Sequence, residues 1–408
     1  MAACKCETSK PRSSDRASTS TTATSETPSS SSTDLSTSLP TSTGSPSPVT
    51  DQGPSTSTTT SSKWTTTTMA TTTSAMHPAY TDLLTVYRVD RDGALLVDQV
   101  YGNGTLANST NAWYLGTSGI DTYFGIGLAG EAYLITNDSK MAVVSPGNPL
   151  VEITGVGFEP FSSVCATQQA AGFDVFAIDT QGGHDVVYKT YSGDTYHGPA
   201  TLEYGFEGGT TVLTCSPIYG PTLGASTASF GVYPNGNLQM VYLNAAKNWD
   251  MVTIGSGFTP GCHLATSHQG GTSQKIGLFS IDNTGALTAM WNDNADTTWT
   301  TRAHISGQSQ FTPCAPVFAT SSQSLNQTYV FAVDLEGYLT VTYASDNGTW
   351  SGPSVISAAP NFSYDTNFPG FSQYEDQDQP HVFMTDKSND LWIFWLTGSG
   401  TWENARVQ

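Results

Sequence analysis

The sequence predicts an all-β chain: a seven-bladed β-propeller of four-stranded antiparallel blades, preceded by a disordered Ser/Thr-rich segment. Three observations predict it. A two-residue turn signal recurs with a period near fifty residues. Short runs rich in Val, Thr, Phe and Tyr separate the turns. The composition changes abruptly at about residue 76.

The turn signal stands at Asp92-Gly93, Asn137-Asp138, Gly182-Gly183, Asn235-Gly236, Thr284-Gly285, Glu336-Gly337 and Ser388-Asn389, in steps of 45, 45, 53, 49, 52 and 52 residues. Several turns are followed two residues on by leucine: Leu95, Leu238, Leu287, Leu339 and Leu391. Four residues after the last four of these stand Tyr242, Trp291, Tyr343 and Trp395, and a second aromatic follows at Trp249, Trp299, Trp350 and Trp402. Residues 311–356 show one full unit, four β-rich runs joined by tight turns. A four-stranded unit cannot cover both of its faces alone. Radial stacking of such units buries the faces and leaves only short edges. Seven turns give seven blades. Blade 1 lacks a clear innermost strand, a role assigned here to the region around Met76 to Tyr80. The ring is expected to close without a strand exchanged between the termini.

The runs at 174–179, 329–334 and 381–386 are versions of one strand. That strand, a Gly turn, a Leu-x-x-x-aromatic strand and a Gly-x-Trp hairpin together resemble the fungal fucose-specific lectins and the related bacterial seven-bladed β-propeller lectins. The resemblance covers roughly residues 80 to 408. It implies a sugar-binding propeller with sites in the crevices between blades.

Residues 1–76 are read as a disordered Ser/Thr-rich stalk or tail, and 77–408 as the propeller. The stretch from Ser18 to Ser74 is dominated by Ser and Thr with scattered Pro, and it has too little apolar surface to offset chain entropy. That composition fits an O-glycosylated stalk. Six sequons point the same way, at Asn103, Asn108, Asn137, Asn326, Asn347 and Asn361. A secreted or cell-surface location is therefore expected. The first sixteen residues hold no apolar run of signal or membrane-span length. Either the start of the chain is incomplete, which is the preferred expectation, or the protein is cytosolic and the sequons are idle. Cys4 and Cys6 have no His or further Cys near them and carry no metal motif.

The formal charge is −20, from 14 basic and 34 acidic residues. Residues 1–76 carry five of each sign, so the excess lies in the propeller. Such a surface argues against nucleic acid and against membrane contact by the propeller itself. The expected partners are glycans or glycoproteins; the oligomeric state is not legible.

Cys165, Cys215, Cys262 and Cys314 repeat with the blade period, each near the start of the innermost strand of blades 3 to 6. No two share a blade, so a disulfide would have to join neighbours near the axis. Four buried free thiols are the preferred reading, since Cys behaves as a small apolar residue.

No catalytic, metal or cofactor motif is present. Asp121, Glu159 and Glu375 lie near innermost strands, but nothing in their spacing marks convergent carboxylates, so the chain is not expected to be an enzyme. Sugar contacts then fall to the aromatics, whose faces accept apolar C–H surfaces. Trp249, Trp299, Trp350 and Trp402 sit near one rim, either as sugar platforms or as wedges between blades. Trp291 and Trp395, with Tyr242 and Tyr343, share a face with the leucines and read as inter-blade core first, sugar contacts second. The resemblance also implies an Arg and a Glu clamping the sugar. Only blade 1 offers both charge types, as Arg88 and Asp98. Third strands carry Met240, Ala289, Val341 and Ile393 where the Glu would fall. Fucose binding by that clamp is therefore expected to be weak or absent, and affinity to come from several weak sites acting together.

Overall fold

The computed structural model describes residues 83–408 except 91, 116–123, 127–130, 154–156, 161, 170–171, 191–194, 207–211, 221–223, 270–274, 294–296, 323, 346–348, 365–366, 369 and 373–379. The Ser/Thr-rich segment, the boundary at 76, Asn347, Asp121 and Glu375 lie outside the described residues.

The chain is an all-β, seven-bladed propeller. Blade 3 is representative: Val164–Gln169, Gly172–Ile178, Gly183–Thr190 and Tyr196–Tyr204 pair in sequence order as an antiparallel meander. Blades 2, 4, 5 and 6 repeat this order, and blade 7 has three described strands, His381–Thr385, Leu391–Leu396 and Trp402–Arg406. The first strands of blades 2 to 6 lie side by side around the axis. They line an axial cavity of about 300 Å³ whose wall mixes apolar side chains with Cys165, Thr214, Cys215, His263 and Asn367.

Blade 1 differs from expectation. Its second to fourth strands are Leu83–Val89, Ala94–Tyr101 and Leu106–Tyr114, but its innermost strand is Gly370–Ser372, from the segment before blade 7. The ring thus closes by lending a strand from near the end of the chain to the first blade. Met76 to Tyr80 lie outside the described residues.

Each blade turns between its second and third strands on one motif. The turn opens at Asp90, Thr136, Asp179, Tyr233, Asp282, Asp334 and Asp386. Its backbone carbonyl accepts the N–H of the residue three further on. That residue has positive φ in all seven blades: Gly93, Ser139, Gly182, Gly236, Gly285, Gly337 and Asn389. The left-handed conformation accounts for the Gly/Asn signal in the sequence. The expected turn position holds in five blades and shifts by one residue in blades 2 and 3. Five turns open with Asp, whose carboxylate accepts the N–H groups two and four residues on, at 2.7–3.1 Å.

Three residues before each turn stands an aromatic: Tyr87, Tyr133, Phe176, Phe230, Phe279, Phe331 and Phe383. All seven are fully buried. Strand alternation aims each ring at the next blade. The core is accordingly a ring of seven clusters, each drawn from two adjacent blades.

Candidate functional site: the crevices between blades

The buried aromatic of one blade meets the start of the outermost strand of the next. Trp249 stands edge-on to Phe176, Trp299 to Phe230, Trp350 to Phe279 and Trp402 to Phe331, with ring centroids 5.3–5.8 Å apart. Tyr196 meets Tyr133 in the same way at 6.2 Å. The four rim tryptophans therefore wedge the blades together, and each stays half-buried. The Trp299 indole N–H is buried and finds no acceptor among the described residues.

The crevice between blades 5 and 6 is closed by rings. Trp291 stacks on Trp350 at 5.4 Å and lies edge-on to Phe279. Gly277 makes room for this: a Cβ there would come within 2.5 Å of the Trp291 ring. Lys275 lies over Trp291 at 5.8 Å and pairs with Asp293. Trp395 is 7% exposed and belongs to the cluster between blades 7 and 1. Tyr343 and Tyr242 also pack into inter-blade clusters.

Arg88 and Asp98 sit in that same crevice between blades 7 and 1. Val86, opposite Asp98 in register, packs into the cluster that holds Phe383, Ile393 and Trp395. Arg88 Nε donates to Asp98 at 2.7 Å, and Ser109 donates to the other carboxylate oxygen. Asp98 is 1% exposed. The one Arg/acid pair anticipated from the sequence is therefore brought together, each group partnered by the other.

The crevice between blades 2 and 3 carries a charged cluster of a different kind. Glu131 stands five residues before its turn, so it shares a face with Tyr133. One carboxylate oxygen accepts from the Lys189 ammonium at 3.2 Å, the other from the Tyr133 hydroxyl at 2.9 Å. The Tyr133 and Tyr196 hydroxyls lie 3.2 Å apart. Lys189 also lies over the Tyr196 ring at 5.1 Å and the Phe173 ring at 5.9 Å. Burial opposes the ammonium, but Tyr196 and Glu131 outweigh it and hold the Lys189 pKa above its ordinary value. Burial pushes the Tyr133 hydroxyl well up, with Tyr196 and Glu131 adding to the effect. This cluster offers a carboxylate, an ammonium and two hydroxyls beside aromatic rings. None of Glu131, Lys189 and Tyr196 was singled out by the sequence. The available signal was Tyr196 standing where blades 4 to 7 carry the wedge tryptophan.

The crevice between blades 3 and 4 is polar and mostly paired internally, with His184 Nδ1 finding no partner among the described residues. Thr227 donates to Asp174 at 2.6 Å, and Ser229 hydrogen-bonds His184 Nε2 at 2.8 Å. His184 is fully buried between Phe176 and Phe206, and burial lowers its pKa to about 3. Outside it, Tyr188 stacks on His197 at 4.9 Å.

Among the sequons, Asn103, Asn108, Asn137 and Asn361 are exposed and Asn326 is half-buried. Glu159 is exposed. The structure corrects the cysteine expectation. Cys262 and Cys314 form a disulfide between blades 5 and 6, while Cys165 and Cys215 are free thiols. Chain reversals near the axis bring neighbouring blades to a Cα separation of 4.3 Å there, close enough to bridge.

No protein-family model matches this chain, and no curated protein matches it. Among solved structures it is similar to the BP39L lectin from Burkholderia pseudomallei. They share 25% sequence identity and a TM-score of 0.70, over 81% of this chain and 96% of that one. It is also similar to AofleA from Arthrobotrys oligospora, at 12% identity and a TM-score of 0.52, over 70% of this chain and 85% of that one; this is a likeness of fold alone. The resemblance carried by the repeat thus has its counterpart in three dimensions, in a lectin-like propeller.

Proposed function

We propose that this lectin-like propeller is a non-catalytic carbohydrate-binding module acting outside the cell, with glycans or glycoproteins as its partners. The observation that carries the reading is the Glu131–Lys189–Tyr133–Tyr196 cluster, set in an inter-blade crevice of a chain similar to a lectin along four-fifths of its length. Sugar hydroxyls both donate and accept, and this cluster supplies both functions beside rings that take the C–H face. Hydrogen bonds to charged groups contribute about 1.5–3 kcal/mol each. The half-exposed edges of Trp249, Trp299, Trp350 and Trp402 are the stacking surfaces of the other crevices, with Trp291 behind Trp350. Trp395 with Arg88 and Asp98 serves the crevice between blades 7 and 1. Sites of this kind are individually weak, in the millimolar range, and act together on a multivalent glycan. The exposed sequons support N-glycosylation at Asn103, Asn108, Asn137 and Asn361, with Asn326 and Asn347 as further acceptors.

A second reading is a protein-interaction propeller whose sugar sites have closed. The stacking of Trp291 on Trp350 favours it, because that contact covers ring faces a sugar would use. A glycan array with residues 77–408 separates the two. The lectin reading expects a defined set of bound glycans, weakened in the Lys189→Met variant. The interaction reading expects none.

A further inference from the structure

The function proposed above leaves two thiols unused, Cys165 buried and Cys215 half-buried. Cys165 and Cys215 are free, stand on the first strands of neighbouring blades 3 and 4, and both line the axial cavity. Their strands are pinned level. Ser163 Oγ accepts the Leu213 N–H at 2.8 Å and donates to the Leu213 carbonyl at 3.3 Å. Cys165 and Cys215 each lie two residues beyond this tie, so strand alternation returns both side chains to the same side. Both side chains belong to the one cluster between blades 3 and 4, and burial, with Cys165 as neighbour, raises the Cys215 pKa well above its ordinary value. Two blades further round the ring, Cys262 and Cys314, each three residues before its first strand, also face each other across neighbouring blades and are bonded.

We propose that Cys165 and Cys215 are a disulfide-forming pair, a second covalent staple between adjacent blades, closed by a peroxide that enters through the axial cavity. The balance is simple. One sulfur, as thiolate, attacks a peroxide oxygen; the O–O bond breaks, leaving a sulfenic acid and, after protonation, one water. The second sulfur displaces the sulfenic hydroxyl, the S–S bond forms, and the hydroxide takes the released proton as a second water. Two thiols and one hydrogen peroxide become one disulfide and two waters, with both electrons ending on the peroxide oxygens. The cavity, of about 300 Å³, admits a molecule of that size. With both staples closed, blades 3 to 6 are joined in pairs at the axis, which limits the opening of the ring in the unfolded ensemble.

The test uses the full chain purified under conditions that leave Cys165 and Cys215 reduced. The native protein is exposed to hydrogen peroxide, unfolded in alkylating reagent without reductant, and peptide-mapped. The expected result is loss of alkylation at both Cys165 and Cys215, together with a linked Cys165–Cys215 peptide and a raised melting midpoint. The Cys165→Ser and Cys215→Ser variants should lose the linked peptide and the shift in melting. Cys4 and Cys6 map to separate peptides and do not interfere. Both cysteines still alkylated after peroxide, or each carried singly to the sulfinic acid, would overturn the proposal. So would a linked peptide that joins either of them to another cysteine.

Discussion

The crevice between blades 5 and 6 and the crevice between blades 2 and 3 are built on the same scaffold positions with opposite chemistry. Both have a buried aromatic three residues before the turn, Phe279 in one and Tyr133 in the other, met by a wedge ring at the start of the next outermost strand. Five residues before the turn, blade 5 has Gly277, and the space is filled by Trp291 stacked on Trp350. At the same position blade 2 has Glu131, and the space is filled by an ion pair to Lys189 and two tyrosine hydroxyls. One crevice uses its volume for apolar contact. The other holds partnered charges that a polyhydroxylated ligand can join. A single repeat thus builds an apolar or a charged crevice by changing one strand position and its cross-crevice partners.

The largest expected effect breaks the apolar side of this comparison. Phe279→Ala removes a fully buried ring and should destabilise the propeller by about 3–5 kcal/mol in denaturant titration. Trp350→Ala removes a half-buried ring from the same cluster and should cost roughly half as much, about 2 kcal/mol. A loss below about 0.5 kcal/mol at Trp350 would mean that the stacked pair does not hold the blades together.

The crevice between blades 3 and 4 sharpens the contrast through pH. His184 is held neutral, with a folded pKa of about 3 against an unfolded value near 6.5, and His263 is lowered by burial to about 4. The unfolded chain takes up protons that the folded chain refuses. This part of the stability is complete above pH 6.5 and is lost as pH falls toward 4 for His263 and toward 3 for His184. Each group contributes a slope of about 1.4 kcal/mol per pH unit inside its window. His184→Gln should remove one proton from that slope in unfolding experiments between pH 6 and 4. An unchanged slope would contradict the buried neutral imidazole.

A smaller effect is expected in the charged crevice. Lys189→Met leaves Glu131 with its tyrosine partner alone, and Glu131→Gln leaves the ammonium half-buried. The pair is partly exposed, between the surface and buried cases, so each change should cost about 1–2 kcal/mol. The double variant should cost less than the sum of the two. Additive losses in that double-mutant cycle would show that the two groups do not interact.

Much of the scaffold was legible because backbone geometry restricts residue choice. A left-handed residue three places into each turn demands Gly or Asn in six of seven blades, and the period follows from it. Blade 2 uses Ser139 instead, so its neighbours Asn137-Asp138 drew the turn one place forward. In blade 3 two adjacent glycines gave the same signal. The ring of seven buried aromatics was equally regular, yet it emerges only once the turns are correctly placed. What lay beyond the sequence depends on contacts between units. The Gly370–Ser372 strand joins blade 1 across the closure of the ring, which no local pattern encodes. Cysteine spacing follows the blade period, but spacing alone does not tell which neighbours are bonded. Cys262 and Cys314 precede their first strands by three residues, while Cys165 and Cys215 lie within theirs. The charged site was hidden for the same reason, since Glu131 and Lys189 are 58 residues apart and come together only across a crevice.

The central claim is that the crevice between blades 2 and 3 recognises a glycan, and one titration addresses it most directly. A glycan identified on the array is titrated into residues 77–408, and its binding is compared among the unaltered domain, Lys189→Met and Trp350→Ala under conditions where all three remain folded. The account predicts that Lys189→Met lowers affinity at least tenfold, about 1.4 kcal/mol, while Trp350→Ala lowers stability but leaves affinity at this crevice unchanged. Unchanged affinity in Lys189→Met, with loss in Trp350→Ala, would contradict it and move recognition to the apolar crevice.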